Sequence, residues 1–173
     1  MSFTQWIIID DTPLTNYPLD LTYSVIKPEF NNREICYIVN IIANEPLKVK
    51  SVVEIYKALE DVLYELKKVE KIESGTCIYT IYDLKEGIKF VPDIKMLSVG
   101  LNYVKKIEKY NDVKLNGAVA IVDGNNNSYS RLAYAANFFA RNLHIRIATS
   151  YEEAYNFIKK YSKTEEIRKL SFV

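Results

Sequence analysis

The chain has 173 residues, a net charge of +1 and a charged fraction of 26%, figures of an ordinary globular domain with room for one substantial core. Lysines and carboxylates are interleaved, which excludes the clustered basic patch that nucleic acid requires. No run approaches the ~18 apolar residues of a membrane span, and no opening segment has the charged-then-apolar layout of a signal peptide, so a cytoplasmic protein with no membrane partner is expected.

Residues 1–18, MSFTQWIIIDDTPLTNYP, hold one apolar strand-like run, Trp6 to Ile9, followed by two prolines that oppose regular structure. An N-terminal arm packed on the domain or on a partner is expected. Leu21 to Ile26 and Glu34 to Ile42 are β-rich runs, and Pro28, Asn31 and Asn32 between them predict a hairpin. Over 48–70, Val49, Val52, Val53, Tyr56, Leu59, Leu63 and Leu66 recur at helical spacing, with Lys and Glu on the other face. CIYTIYDL, residues 77–84, is apolar on both faces and reads as an interior strand.

Asp93 to Tyr110 is again amphipathic through Ile94, Leu97, Leu101, Val104 and Ile107. AVAIV, 118–122, has the continuous apolar character of a buried parallel strand. Ser128 to Arg141 predicts a third helix burying Leu132, Ala135, Ala136 and Phe139, and Ile145 to Ala148 a short strand. The last helix opens at Ser150, where Ser-x-x-Glu with Glu153 forms a capping box. The order β-β-α-β-α-β-α-β-α predicts an α/β fold: a mixed, mostly parallel sheet opened by an antiparallel β-hairpin, with four helices. One domain over 19–162 is expected, between the arm and a charged tail at 163–173.

Ligands of open α/β sheets gather beyond the carboxyl ends of the parallel strands. Three loops qualify: the one opened by Asp83, the one at Asp123 to Ser128, and Thr149–Ser150. In the second, Asp123, Gly124, Asn125, Asn126, Asn127 and Ser128 combine a flexible backbone with a predicted helix N-terminus, a setting suited to phosphate or carboxylate. No lysine accompanies them, GxxxxGK[ST] and GxGxxG are absent, and Asn127 and Ser128 are good helix caps. A turn with a cap is the simpler reading, and a small ligand or anion the alternative.

"DGNN" after an apolar strand also resembles the metal-binding motif of NYN-type nucleases, which gather carboxylates around Mg²⁺. Here the partners would be Asp83 and Asp93, but that family places the motif on its first strand. His144, the only histidine, stands at a strand entrance and is expected to be structural. No nucleophile–base set can be assembled without it, and one His with two separated cysteines makes no zinc ligand set. Neither a cofactor nor a metal is expected. Cys36 and Cys77 lack CxxC spacing and read as reduced core residues. Tyr79 and Tyr82 read as sheet packing, Glu152 and Glu153 as capping, and Lys67, Lys68 and Lys71 as solvated surface.

The stretch GAVAIVDGNNNSYSRLAYAANFFARNLHIRIATSYEEAYNFI, residues 117–158, resembles STAS-like, anti-sigma-factor-antagonist-like bacterial proteins. It does so in an "AIV" strand, a helix, an "RIA" edge strand and a "S-x-E-E-A" helix, and the β-β-α-β-α order before it is similar. The resemblance spans roughly 20–161 and implies a STAS-like fold and a non-enzymatic module of regulation or signalling. Such a module acts by binding a protein partner or as a homodimer. Regulated members carry a phosphorylated serine in a D-S-x-G type motif after the middle strand. The corresponding stretch here, YDLKEGIKFVPDIKML at 82–97, has Asp83 but no serine or threonine, so that switch does not transfer.

Overall fold

A computed structural model describes residues 5–28, 36–90, 93–123 and 144–170. They form a six-stranded sheet in the order of the chain: β1 (Gln5–Leu14), β2 (Leu21–Pro28), β3 (Cys36–Ala43), β4 (Thr76–Asp83), β5 (Val113–Ile121) and β6 (His144–Ala148). β1, β2 and β3 pair antiparallel, and β3 to β6 pair parallel. The mixed sheet opened by antiparallel strands is therefore present, with β2 and β3 as the predicted pair. Three α-helices are described: α1 (Val52–Val69), α2 (Ile94–Asn111) and α3 (Tyr151–Leu170). The count differs from the predicted four, and the helix predicted at 128–141 lies outside the described residues.

Strand order decides where the helices go. Each parallel crossover steps in the same direction across the sheet, and crossovers of one hand then deliver their helices to one face. α1 and α2 accordingly share a face, over Leu21, Tyr23, Val25, Tyr37, Val39, Ile41, Ile78 and Leu115. α3 follows the last strand and is not a crossover. It folds back over the opposite face, where Ala154 and Ile158 meet Ile38, Tyr79, Ile81, Val119 and Ile121.

Pro13 does not end the first strand. β1 runs for ten residues and pairs Pro13 with Thr22. β1 lies within the stretch expected as an arm, and Pro13 fits in it for a physical reason: β1 is an edge strand, and on an edge proline's missing N–H removes no ladder bond when it faces outward. Two register shifts, between Ile7 and Ile9 and between Ile9 and Thr12, let the strand bend around the same point. At the other end, α3 continues through Leu170, into the stretch expected as a charged tail.

On α1 the buried residues are Ile55, Ala58, Leu59, Val62, Leu63 and Leu66, while Val49 is exposed in a short 3-10 turn ahead of the helix. The apolar stripe is shifted from the predicted one, which began too early. Asp93 caps α2 by accepting the Met96 N–H at 2.8 Å, and the helix ends at Asp112 in the left-handed region, φ 55°. Lys67 of α1 donates to the Asn111 carbonyl at 2.9 Å, supplying one of the acceptor-rich last carbonyls with a cation.

Gly100 sets how closely α1 and α2 approach. A Cβ there would lie 2.4 Å from the Tyr56 hydroxyl oxygen, and Tyr56 is stacked on Tyr103 with ring centroids 5.5 Å apart. Gly100→Ala is expected to destabilise the chain by about 1–2 kcal/mol, overpacking outweighing the ~1 kcal/mol that alanine gains over glycine in a helix. In a Tyr56→Phe background the same change is expected to stabilise. Denaturant midpoints of the four chains check this, and an equal effect in both backgrounds would sink the overlap account.

Candidate functional site

The carboxyl ends of β4, β5 and β6 are laced together past the strands themselves. Leu84 donates its N–H to the Ile121 carbonyl at 2.8 Å, and Val122 donates to Ala148 at 3.0 Å. The crevice that binds ligands in open α/β sheets forms where strand order reverses. In the described sheet the order never reverses, so these ends meet as a continuous ladder instead of parting.

Asp83 closes β4 on the α3 face and is buried, at 6% exposure. Its carboxylate accepts the Lys85 N–H at 3.2 Å and lies 3.5 Å from the Lys85 ammonium. It also accepts the hydroxyl of Tyr151, the first residue of α3. Burial first, then this bond and the Asp83 charge, hold the Tyr151 phenol well above the ordinary tyrosine range. The Lys85 ammonium stands 5.2 Å from the Tyr151 ring centroid. A carboxylate with that many internal partners is a latch between sheet and helix, satisfied as buried charges must be.

The polar line continues along the same face. Asn40 of β3 is buried, donates to the Ser24 hydroxyl at 3.2 Å and bonds the Tyr155 hydroxyl. Its Oδ1 is the buried side-chain oxygen without a partner among the described residues.

The predicted site residues stand in different settings. Asp83 is internal, Asp93 is occupied as the α2 cap, and Asp123 is exposed two residues after β5. Gly124, Asn125, Asn126, Asn127 and Ser128 lie outside the described residues. Among the described residues no group of three or more His, Cys, Asp or Glu side chains is placed to hold a metal ion. At the third loop the capping box is present in a shifted form. Glu153 donates its N–H to the Ser150 hydroxyl at 3.2 Å, while its carboxylate accepts the N–H of Thr149 at 2.8 Å and the Thr149 hydroxyl at 3.1 Å. Those two bonds, the backbone one first, favour the ionised carboxylate and hold the Glu153 pKa below the usual carboxylate value. Glu152 and Glu153 thus open α3, where their charge suits the helix dipole.

A separate cavity of about 50 Å³ lies on the other face between α2 and the sheet. Tyr56, Thr80, Tyr82, Gly100 and Val104 are among its walls. Its polar groups are hydroxyls, Tyr82 bonding Thr80, and none of its lining residues carries a charged side chain. It has room for a few waters and no acid–base pair. Sequence reasoning had no signal for this cavity, because Gly100 reads only as a weak helix position.

No protein-family model matches the chain, and no curated protein matches it. Among solved structures it is similar to an uncharacterised protein of the DUF3478 family with a SpoIIAA-like fold, from Shewanella loihica PV-4. The identity is 14%, the match covers 83% of this chain and 98% of that one, and the TM-score is 0.47. Among the described residues no helix is long and apolar enough to cross a membrane.

Proposed function

We propose that the chain is a non-enzymatic regulatory or protein-interaction module of the STAS-like type, acting through a protein partner or a second copy of itself. The observation that carries this reading is the start of the edge strand. Trp6 and Ile7 are adjacent on β1, each 63% exposed, beside a row of strand-edge backbone groups that no other strand among the described residues pairs. Edge strands of this kind add a strand from another chain, and their apolar side chains supply the contact area. The second half of β1 is guarded by Asp10, Asp11 and Pro13, which confines the docking edge to its first residues.

The internal use of Asp83, Asp93 and Glu153 supports the same reading, since each is engaged in holding an element in place. The test compares the full chain with Trp6→Lys/Ile7→Lys by sedimentation and by affinity capture. The wild-type chain is expected to self-associate or retain a partner, and the variant to lose it at an unchanged melting temperature. Identical assembly and identical captured proteins for both chains would overturn the proposal.

A further inference from the structure

The two cysteines, 41 positions apart in the sequence, are side by side in the sheet. Parallel pairing of β3 with β4 sets Cys36 opposite Cys77, and their sulfurs are 3.8 Å apart on the α3 face. Neither is in a disulfide. Adjacent strands stand ~4.8 Å apart, inside the Cα range that a disulfide spans, so side-chain rotation and a small strand shift suffice to join them.

A third residue is aimed at the pair. β5 carries a register shift where Leu115 faces Ile78 and Gly117 faces Tyr79, which leaves Asn116 as the extra residue. Bulges of this kind turn a side chain away from its regular direction. The Asn116 amide points to Cys77 and donates to its sulfur at 2.8 Å. Exposure divides the roles, because Cys77 is half-buried whereas Cys36 is buried.

We propose that Cys36 and Cys77 form a reversible redox pair responsive to hydroperoxides, with Cys77 as the attacked thiol, Cys36 as the resolving thiol and Asn116 as a positioning residue. In the first step the Cys77 sulfur attacks one peroxide oxygen. An S–O bond forms, the O–O bond breaks, and the departing hydroxide takes the thiol proton to leave as water. In the second step the Cys36 sulfur attacks the Cys77 sulfenic acid. The S–S bond forms, the S–O bond breaks, and hydroxide leaves with the Cys36 proton as a second water. Both sulfurs are oxidised by one electron each and the peroxide is reduced by two. A dithiol reductant reverses the bond by exchange. The product staples β3 to β4 beneath α3.

The experiment uses the full chain, hydrogen peroxide as the probe, and alkylation followed by intact-mass measurement. The chain has two cysteines, so an internal bond removes both alkylation sites without forming a dimer. The native chain is expected to close the bond at least about tenfold faster than the same chain in denaturant, because the fold raises the effective concentration of one thiol at the other. The oxidised chain is expected to melt several degrees higher. Cys36→Ser is expected to stop at a sulfenic acid that a dione reagent traps, and Cys77→Ser to keep its remaining thiol at the same dose. Asn116→Ala is expected to slow closure in the native chain and leave the denatured rate unchanged. Native closure no faster than in denaturant, or retention of both thiols at a dose that oxidises unstructured cysteine, would overturn the proposal.

Discussion

Tyr151→Phe is expected to lower the unfolding free energy by about 2 kcal/mol, the cost of withdrawing a hydrogen bond from a buried charged acceptor. For a chain of this size that is a fall of about 4–8 °C in melting temperature. Asp83 is the reason. Its carboxylate is buried at the end of β4 and shares its charge between the Tyr151 hydroxyl and Lys85. Lys85 is half-exposed, at 50% of its side chain, so water screens its attraction and it cannot replace the lost bond. Asp83→Asn is expected to cost less than Tyr151→Phe, because an amide keeps an acceptor for the phenol and loses the charge that needed neutralising. The double variant should show a coupling of about 1 kcal/mol or more, as contacting residues do. Additive losses in chemical denaturation would show that the two side chains do not act as a latch. Since α3 packs on the second face, loosening its first turn should also raise amide exchange along it.

Most of the fold was legible because its elements carry strong periodicity. CIYTIYDL gave an interior strand, and β4 does lie between β3 and β5. The capping box at Ser150 located the start of α3. What the sequence could not convey was placement across strands. Nothing local tells that Cys36 and Cys77 are neighbours, because register is fixed by the packing of whole strands and not by the residues that it happens to align. Pro13 misled for a related reason: its effect depends on whether the strand is central or at an edge. Asp83 was legible as a site candidate from its position after a strand, but its partner Tyr151 lies 68 positions later, beyond any motif. Carboxylates at strand ends therefore read alike in sequence whether they serve a ligand or a latch.

Alkaline pH is expected to unfold the chain cooperatively, through phenols that cannot ionise in place. Tyr82 is held above its ordinary value of 10.0 by burial and by nearby Tyr56. Tyr37 is held above it by burial, then by its bond to Glu70 at 2.9 Å and that carboxylate's charge. Burial and the bond to Asp61 act likewise on Tyr17. These are acids whose folded values are raised, so the sign is fixed. Their contribution to stability is fully present below pH 10.0, where the unfolded chain keeps its phenols protonated, and is lost as the pH rises from there toward the folded values. Denaturant midpoints should therefore fall from about pH 10 upward, with a slope that grows with the number of phenols ionising on unfolding. Phenolate absorbance should show one group of tyrosines appearing together with the loss of helical signal. Tyr37→Phe should cost about 1 kcal/mol at neutral pH, for the lost bond, and yet reduce the alkaline slope by one proton. A smooth titration of all fourteen tyrosines with the helices intact would refute the idea. A loss at neutral pH joined to a shallower alkaline slope separates a buried phenol from a merely packed ring, since a ring that only fills space would lower stability by the same amount at both pH values.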